Sequence, residues 1–397
     1  MISVSYAKTV YGQKEIDAVV KCLKEGTQMG KYAREFEAKI AALFAKKHCL
    51  YVNSGSSALY IGVEAFGFEK GSEVITPALT FSTTVGSIVK AGLIPVFVDV
   101  GFADFCIDPA KIEEMISPKT VAILAPNLIG NICEWDKIAA IAKKHNLRII
   151  EDSADTLGGT LNGKSSGAWS DMSITSFYGS HIINCAGNGG ALCINDEEHV
   201  KQSKLLRSWG RSSSIFDEKS EAIENRFNVD IDGINYDAKF VFETIGYNLE
   251  GSEIGAAFGL EQLNDLENNI ATRRKNYQTQ ISFFKKYEEF FTLPQETENT
   301  RTGWLAFPVI VKETAPFERR DFQIFLEKRN IQTRVLFTGN ITRQPGFKNL
   351  EMRKAASLAN ADNVMRGGTL LACHHGLNDE MISHMHSTIE EFLKTKI

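Results

Sequence analysis

Short apolar runs alternate with amphipathic segments along the first half of the chain, and this alternation limits the possible folds more than any other feature. The runs HCLYV, EVITP, PVFVDV, VAILAP and RIIED begin at residues 48, 73, 95, 121 and 148, and helix-like stretches separate several of them. Parallel strands need long crossover connections, which are usually helices. The sequence therefore predicts an α/β fold with a mostly parallel sheet. Ligands of such sheets bind at the carboxyl ends of the strands.

Composition and charge limit the classes of partner. The 397 residues are 43% hydrophobic and carry a net charge of -5, so no basic excess favours nucleic acid. The sequence contains no run of about 18 apolar residues that could cross a membrane, and the N-terminus lacks the basic and apolar regions of a signal peptide. We therefore expect a cytoplasmic protein that acts on a small molecule, with neither nucleic acid nor membrane as a partner.

The stretch from Ser173 to Asn195, SITSFYGSHIINCAGNGGALCIN, has the pattern of a strand, a turn, a glycine-rich bend and a second strand. It places the imidazole of His181 at a strand end beside flexible backbone, where concave sites form in α/β proteins. Histidine has an unperturbed pKa of about 6.5, so His181 is a candidate general base and acid near neutral pH. The alternative is a packed interior histidine without a catalytic role.

Residues 176–181, SFYGSH, resemble the active-site segment SFFGNK of the DegT/DnrJ/EryC1/StrS family. Members of that family are sugar aminotransferases of the aspartate aminotransferase fold that use pyridoxal 5'-phosphate (PLP). Their lysine at the end of the segment forms a Schiff base with PLP, but His181 stands at that position here, and an imidazole forms no stable imine. The resemblance therefore implies reversible binding of PLP or pyridoxamine 5'-phosphate (PMP), with His181 as a proton-transfer group.

Further segments agree with this resemblance. NSGSS at residues 53–57 precedes a helix whose N-terminus can bind a phosphate, although a plain serine N-cap is the alternative interpretation. Asp152, at the end of RIIED, matches the aspartate that pairs with the protonated pyridine nitrogen; its alternative is a cap or turn residue. GYNLEGSEIGAA resembles GYNxRxxDxxAA, whose asparagine reaches the phosphate bound to the neighbouring subunit. Together these matches imply cofactor contacts for Ser54, Gly55, Ser56, Ser57, Phe81, Asp152, Asp155, Ser176 and Asn248.

The family branch with histidine at this position is similar to the NDP-4-keto-6-deoxysugar 3-dehydratases, which remove a C3 hydroxyl instead of installing an amine. For this branch the resemblance implies a GDP- or CDP-linked sugar as substrate and glutamate as amino donor. The segment IQTRVLFTGNITRQPGF resembles one that carries substrate-facing residues. Arg334, Asn340 and Arg343 are therefore candidates to contact the sugar or its diphosphate, since arginine forks match phosphate oxygens. Solvated surface arginines are the alternative.

The resemblance covers nearly the whole chain and implies its architecture. We expect an aspartate aminotransferase fold with a mixed, mostly parallel seven-stranded sheet in a large domain, residues 1–265. Residues 266–397 are expected to form a connecting helix and a smaller C-terminal α/β domain. The family also implies a homodimer with shared active sites.

The sequence departs from related patterns in three places. Ser153-Ala154 and Ser212-Ser213-Ser214 stand where ascarylose-type dehydratases carry iron–sulfur cysteines, and the seven cysteines form no CxxC pair. We therefore expect no metal and mostly buried, reduced cysteines. The loop NCAGNGG at residues 184–190 replaces the family's TTGEGG, with one extra residue and no glutamate.

Three functions remain open at this point. The first is 3-dehydration of a nucleotide-linked 4-keto sugar, giving a 3,6-dideoxy sugar for surface polysaccharide. The second is a sugar aminotransferase whose lysine was replaced by histidine, naturally or by engineering, and the third is PLP binding without catalysis. The segments RSWGR, YDAKF and LFTGNITRQP resemble dehydratases more than typical aminotransferases, which favours the first.

Overall fold

The computed structural model describes residues 2–216, 226–227 and 229–396. The helices are α1 (Gln13–Glu25), α2 (Lys31–Leu43), α3 (Gly55–Ala65), α4 (Ser82–Lys90), α5 (Trp135–His145), α6 (Glu197–Arg207), α7 (Glu253–Asn264), α8 (Leu266–Phe284), α9 (Arg319–Glu327), α10 (Ala359–Gly367) and α11 (Asp379–Lys394). The strands are β1 (His48–Val52), β2 (Glu73–Pro77), β3 (Ile94–Val98), β4 (Thr120–Pro126), β5 (Arg148–Asp152), β6 (Thr160–Leu161), β7 (Lys164–Ser165), β8 (Met172–Ser176), β9 (Gly190–Ile194), β10 (Val229–Ile231), β11 (Ile234–Tyr236), β12 (Phe291–Thr292), β13 (Thr300–Arg301), β14 (Phe307–Val311), β15 (Arg353–Lys354) and β16 (Gly368–Leu371). Short 3-10 turns lie at Pro109–Lys111, Glu113–Met115, Leu128–Gly130, Ser166–Trp169, Ser212–Ile215, Ala238–Phe240, Lys285–Tyr287 and Ile341–Arg343.

The apolar runs pair into one large sheet with the order β1-β9-β8-β5-β4-β2-β3-β15. Pairing is parallel from β8 through β5, β4, β2 and β3 to β15, while β9 is antiparallel to both of its neighbours. The predicted mixed, mostly parallel α/β sheet is thus confirmed. The predicted count of seven strands was one short, because the C-terminal part adds β15 at the edge. With two residues, β15 is too short to show a sequence pattern.

Helices cover the sheet, which explains why its strands are continuously apolar. Every residue of β2 and β9 is buried, as expected when both faces of a sheet are packed. Helix α3 contacts α4, α6 and β9, while α1 and α2 pack against α7. All seven cysteines are free and buried. Among the described residues, no helix combines the length and apolar character that a membrane crossing needs.

The C-terminal part contains a second, smaller sheet. Strand β14 lies between β12 and β16, and all pairings are antiparallel. The 19-residue helix α8 leads into this part. Two short pairings connect it to the first part of the chain, β13 with β6 and β15 with β3. The division near residue 265 stays a prediction.

Candidate active site

A cavity of about 300 Å³ lies where the parallel strands β4, β5 and β8 end, as expected for an open α/β sheet. It is bordered on one side by the start of α3 and on another by the segment that precedes α4. The lining residues are Ser54, Gly55, Ser56, Leu59, Phe81, Thr83, Pro126, Leu128, Asp152, Ala154, Asp155, Ile174, Ser176, Tyr178, His181, Asn188, Gly189 and Phe337. Among these described lining residues there is no lysine.

The start of α3 presents free backbone donors to the cavity. Ser54 is the N-cap, and its hydroxyl oxygen accepts a hydrogen bond from the amide of Ser57 at 3.1 Å. The amides of Gly55 and Ser56 lie in the first turn, where a helix offers no intrahelical acceptor. A Cβ atom on Gly55 would lie 2.7 Å from the Cβ atom of Ser176, so only glycine fits there. Ser54 can therefore cap the helix through the amide of Ser57 while the amides of Gly55 and Ser56 remain available to bind an anion.

Asp152 ends β5 with a buried carboxylate that faces the cavity. One oxygen accepts a hydrogen bond from the hydroxyl of Thr84 at 2.7 Å, and the other accepts from the amide of Ala154 at 3.1 Å. Burial raises the pKa of Asp152 to about 6, against the lowering effect of the two hydrogen bonds. A cationic group next to this carboxylate would restore its ionised form.

The hydrogen bond of His181 defines which of its ring nitrogens can act as a base. Nδ1 lies 3.0 Å from the carbonyl oxygen of Ser176, which can only accept, so Nδ1 carries the hydrogen. Nε2 of the neutral ring is then the atom with the free lone pair. Burial lowers the pKa of His181 to about 4, so the imidazole is neutral at pH 7.

Asp155 is the acidic side chain that faces that lone pair. One carboxylate oxygen lies 3.9 Å from Nε2 of His181, too far for a direct hydrogen bond but close enough to stabilise an imidazolium. The other oxygen accepts a 2.8 Å hydrogen bond from the amide of Ile129. Ile129 has a φ of 61°, an unusual conformation for a β-branched residue, and this turn directs its amide at Asp155. Burial, aided by the charge of Asp152, raises the pKa of Asp155 to about 7.

Aromatic rings form the outer wall of the cavity. Phe81 is 48% exposed, and its ring meets that of Phe337 edge-on, with the centroids 5.9 Å apart. Tyr178 makes a similar edge contact with His181 at 6.1 Å. A half-exposed phenylalanine beside a polar cavity leaves a ring face free for stacking against a planar ligand.

The structure brings most of the predicted cofactor residues together, but not all. Ser54, Gly55, Ser56, Phe81, Asp152, Asp155, Ser176 and His181 all line the cavity, while Ser57 lies behind them and donates to Asn53 at 2.6 Å. Asn248 is exposed outside the cavity, where its backbone pairs with Ser208. Its proposed contact with a neighbouring subunit therefore stays a prediction.

The predicted substrate residues also lie outside the cavity lining. The guanidinium of Arg343 forms a fork onto the carboxylate of Asp362, and the buried side chain of Asn340 donates to the same carboxylate at 2.8 Å. Arg334 is exposed, with its guanidinium 5.6 Å from the ring centroid of Tyr6. The substrate role of these three side chains stays a prediction.

Sequence reasoning missed several lining residues, among them Tyr178, Asn188 and Phe337. Asn188 belongs to the NCAGNGG loop, in which Ala186 has a left-handed φ of 54°. Tyr178 lies inside the SFYGSH match and could have been named from its register. Phe337 comes from a distant segment, and no local pattern indicates that it meets Phe81.

The donor set suits a planar, phosphorylated, cationic ring. Free amides at a helix start fit a phosphate, a buried carboxylate fits a protonated ring nitrogen, and the exposed Phe81 ring fits a flat aromatic face. The position of Asp152 decides the fit, because its buried carboxylate lines the cavity and is fixed by hydrogen bonds from Thr84 and Ala154. These residues therefore fit PLP or PMP.

Comparisons with known proteins agree with this geometry. The DegT/DnrJ/EryC1/StrS aminotransferase family profile matches residues 10–390. The lipopolysaccharide biosynthesis protein RfbH of Salmonella typhimurium is 34% identical, covering 96% of this chain and 90% of its own length, and a dTDP-4-dehydro-2,6-dideoxy-D-glucose 3-dehydratase of Saccharopolyspora spinosa is 34% identical, covering 92% and 80%. The solved E. coli GDP-4-keto-6-deoxy-D-mannose-3-dehydratase with bound hydrated PLP superposes with a TM-score of 0.88 at 26% identity, covering 98% of this chain and all of the other. The chain belongs to the DegT/DnrJ/EryC1/StrS aminotransferase family.

Proposed function

We propose that this chain is a PLP- and PMP-dependent 3-dehydratase of a nucleotide-linked 4-keto-6-deoxysugar, with glutamate as amino donor. The observation that carries the proposal is the neutral imidazole of His181 at the position where the family's aminotransferases place a lysine. A base that transfers protons but forms no imine suits elimination of a hydroxyl better than aminotransfer. A product of this kind would serve the synthesis of surface polysaccharide.

Each residue of the cavity has a defined task in this scheme. When bound, the cofactor supplies the amine that takes up the sugar ketone and a ring that withdraws electrons. Asp152 holds the ring nitrogen protonated, and the amides of Gly55 and Ser56 hold the phosphate. Nε2 of His181 takes up a proton and returns it to the departing C3 hydroxyl. Asp155 stabilises the imidazolium during the interval between these two transfers.

Incubation with defined sugars tests the assignment. The protein would be supplied with PLP, glutamate and a panel of GDP- and CDP-linked 4-keto-6-deoxysugars, with a dTDP-linked sugar added because one relative's name contains that nucleotide. We expect one sugar to lose a single oxygen atom by mass spectrometry while its ketone remains. Formation of a 4-amino sugar would favour the aminotransferase instead. Cofactor binding without turnover of any sugar would favour a binding protein.

Cofactor affinity should depend on pH through Asp152. Since its pKa is about 6 without a partner, binding of the cationic ring below that pH must first remove the carboxyl proton. We expect the affinity for PLP to fall by up to about tenfold per pH unit below pH 6. The cofactor phosphate also titrates near pH 6, so Asp152→Asn is the matched control that retains this second contribution. Parallel curves for the two proteins, measured by absorbance titration, would contradict the role of Asp152.

A second copy of the chain is the partner that we propose. Between Trp209 and Tyr247, the described residues include nine exposed large apolar side chains, and exposed apolar surface of this kind favours an interaction site. They are Trp209, Phe227, Ile231, Ile234, Tyr236, Phe240, Phe242, Ile245 and Tyr247. Asn248 directly follows this surface, which agrees with the family's use of that asparagine across a subunit boundary.

Replacement of Ile245 tests this surface. Ile245 is 93% exposed, so a charge there costs the single chain little but would be buried in a dimer. We expect the native protein to have twice the chain mass of 44.1 kDa and Ile245→Asp to shift it towards 44.1 kDa in light scattering. Ile324→Asp, at an exposed position of α9, is the control and should leave the mass unchanged. A monomeric native protein would refute the proposal.

A further inference from the structure

A buried arginine lies directly behind the His181 loop. Arg273 of α8 is fully buried. Its guanidinium donates to the backbone carbonyl of His181 at 3.2 Å and to the carbonyls of Trp304 and Leu305 at 3.1 and 3.0 Å. Its Nε atom donates to Nδ1 of His375 at 3.2 Å. The connecting helix, the C-terminal part and the His181 loop therefore meet at one side chain.

All these acceptors are neutral, so the charge of Arg273 is not paired. Among the described residues, no carboxylate forms an ion pair with the guanidinium, and none is among the charges that act on it. His375 must accept through a bare Nδ1, which makes it a neutral ring, and burial with the charge of Arg273 lowers its pKa to about 3. A fully buried cation without a counter-ion is strongly disfavoured, because burial removes its hydration. The four hydrogen bonds to neutral acceptors offset this cost. A displacement of any acceptor would weaken its bond, so the guanidinium favours the observed positions of all four.

The segment around His375 is itself held in place. Asn276, one helical turn after Arg273, donates to the backbone carbonyl of His374 at 2.9 Å. The His374 ring bridges from the carbonyl of Ser5 to the amide of Gly376, at 3.1 and 3.2 Å. The acceptor His375 is thus fixed by contacts on both sides. Rigid support of this kind is what a precisely placed base requires.

We infer that Arg273 is a positioning residue for His181, holding the base through its own backbone carbonyl with His375 as the opposing acceptor. This inference rests on the proposed role of His181 and names a residue outside the cavity on which that role depends. A shift of about 1 Å in a reacting group can cost as much as 100-fold in rate. A neutral replacement of Arg273 should therefore lower kcat in addition to any loss of stability.

The charge of Arg273 has a second, measurable consequence. The groups that face the His181 ring and its loop are Asp155 at 3.9 Å, the ring of Tyr178, and Arg273. Tyr6 and Arg334 are the next groups. The pKa of Tyr6 is raised by burial and by the charge of Asp155, and lowered by the charges of Arg334 and Arg273. After burial, which is the largest influence, the cationic charge of Arg273 also lowers the pKa of His181. Removal of that charge should raise the pH at which the imidazole takes up a proton.

Variants of two adjacent arginines separate these effects. Arg273→Gln removes the charge and most donors, while Arg273→Lys keeps the charge but loses the fork. Arg274→Gln is the matched control, because Arg274 pairs with Glu296 away from His181. His181 is followed by NMR in cofactor-free protein labelled at histidine Cε1, with His181→Asn used to assign the signal. This readout needs neither cofactor nor sugar, so it stands even if the proposed reaction is wrong.

We expect Arg273→Gln to raise the His181 titration midpoint by about one pH unit and to lower kcat about tenfold or more. Arg273→Lys should lower kcat while leaving the midpoint close to that of the native protein. If Arg273→Gln does not fold, the kcat of Arg273→Lys tests the inference alone. The inference is overturned if Arg273→Gln matches Arg274→Gln in both measurements, if it only lowers Tm, or if Arg273→Lys keeps full kcat.

Discussion

His181→Asn should reduce turnover of the 4-keto sugar by about 100-fold or more, which corresponds to about 3 kcal/mol of transition-state stabilisation. Asparagine preserves a polar side chain of similar reach but has no atom that titrates near neutral pH. The amides of Gly55 and Ser56 and the carboxylate of Asp152 are untouched, so the affinity for PLP should change little. Single-turnover kinetics and a PLP titration on the same sample measure both quantities.

His48→Asn is the matched control for this loss. His48 lies on β1, where it pairs with Glu197 outside the cavity lining. The control should keep native turnover. If His181→Asn also kept native turnover, His181 could not be the base.

His181→Lys should change the type of reaction. A lysine at position 181 restores the last residue of the family's SFFGNK pattern, the one that forms the Schiff base with PLP. We expect this variant to bind PLP covalently and to form a 4-amino sugar slowly, at the expense of the deoxysugar. Its rate should be low, because Asp155 and Ile129 are arranged for an imidazole partner.

Borohydride treatment followed by peptide mass spectrometry tests this change. The variant should carry the reduced cofactor on the peptide that contains residue 181. Native protein should lose its cofactor on dialysis and carry no such adduct on any lysine, since no lysine occurs among the described lining residues. A borohydride-reduced cofactor adduct on a lysine of native protein, or an unmodified variant, would contradict this interpretation.

The fold was predictable because the strands of the sheet are continuous apolar runs. Each run from HCLYV to RIIED became a strand within one or two residues of its sequence bounds. Most of the strands that were missed, such as β15, have only two or three residues and depend on tertiary contacts. Such short pairings leave no period in the sequence.

The cavity was predictable where one local segment carries both the residue and its position. Asp152 is the last residue of β5, and His181 lies in the turn after β8. Both positions could be predicted from the local pattern of a strand end, and both residues line the cavity. Other contacts of the predicted residues come from distant segments: Phe337 packs against Phe81, and Asp362 accepts hydrogen bonds from Arg343. No local sequence pattern indicates either contact.

Arg273 shows a signal that could have been used. On α8 the buried face runs through Ile270, Arg273, Tyr277, Gln280 and Phe284, at helical spacing. A charged residue within such an apolar stripe is rarely buried without a purpose. Sequence reasoning predicted only a connecting helix here, because Arg274 and Lys275 directly follow Arg273 and three adjacent cations are typical of a solvated surface.

Quantification of all products tests the central claim most directly. The proposed reaction consumes one glutamate and one 4-keto-6-deoxysugar and yields one 2-oxoglutarate, one ammonia and one 3-deoxy-4-keto sugar. The oxygen lost from the sugar balances the oxygen gained by 2-oxoglutarate, so no external reductant is needed. We expect ammonia and deoxysugar to appear in a one-to-one ratio without any reductase. A 4-amino sugar formed without free ammonia, or an absolute need for a reductase, would contradict the account.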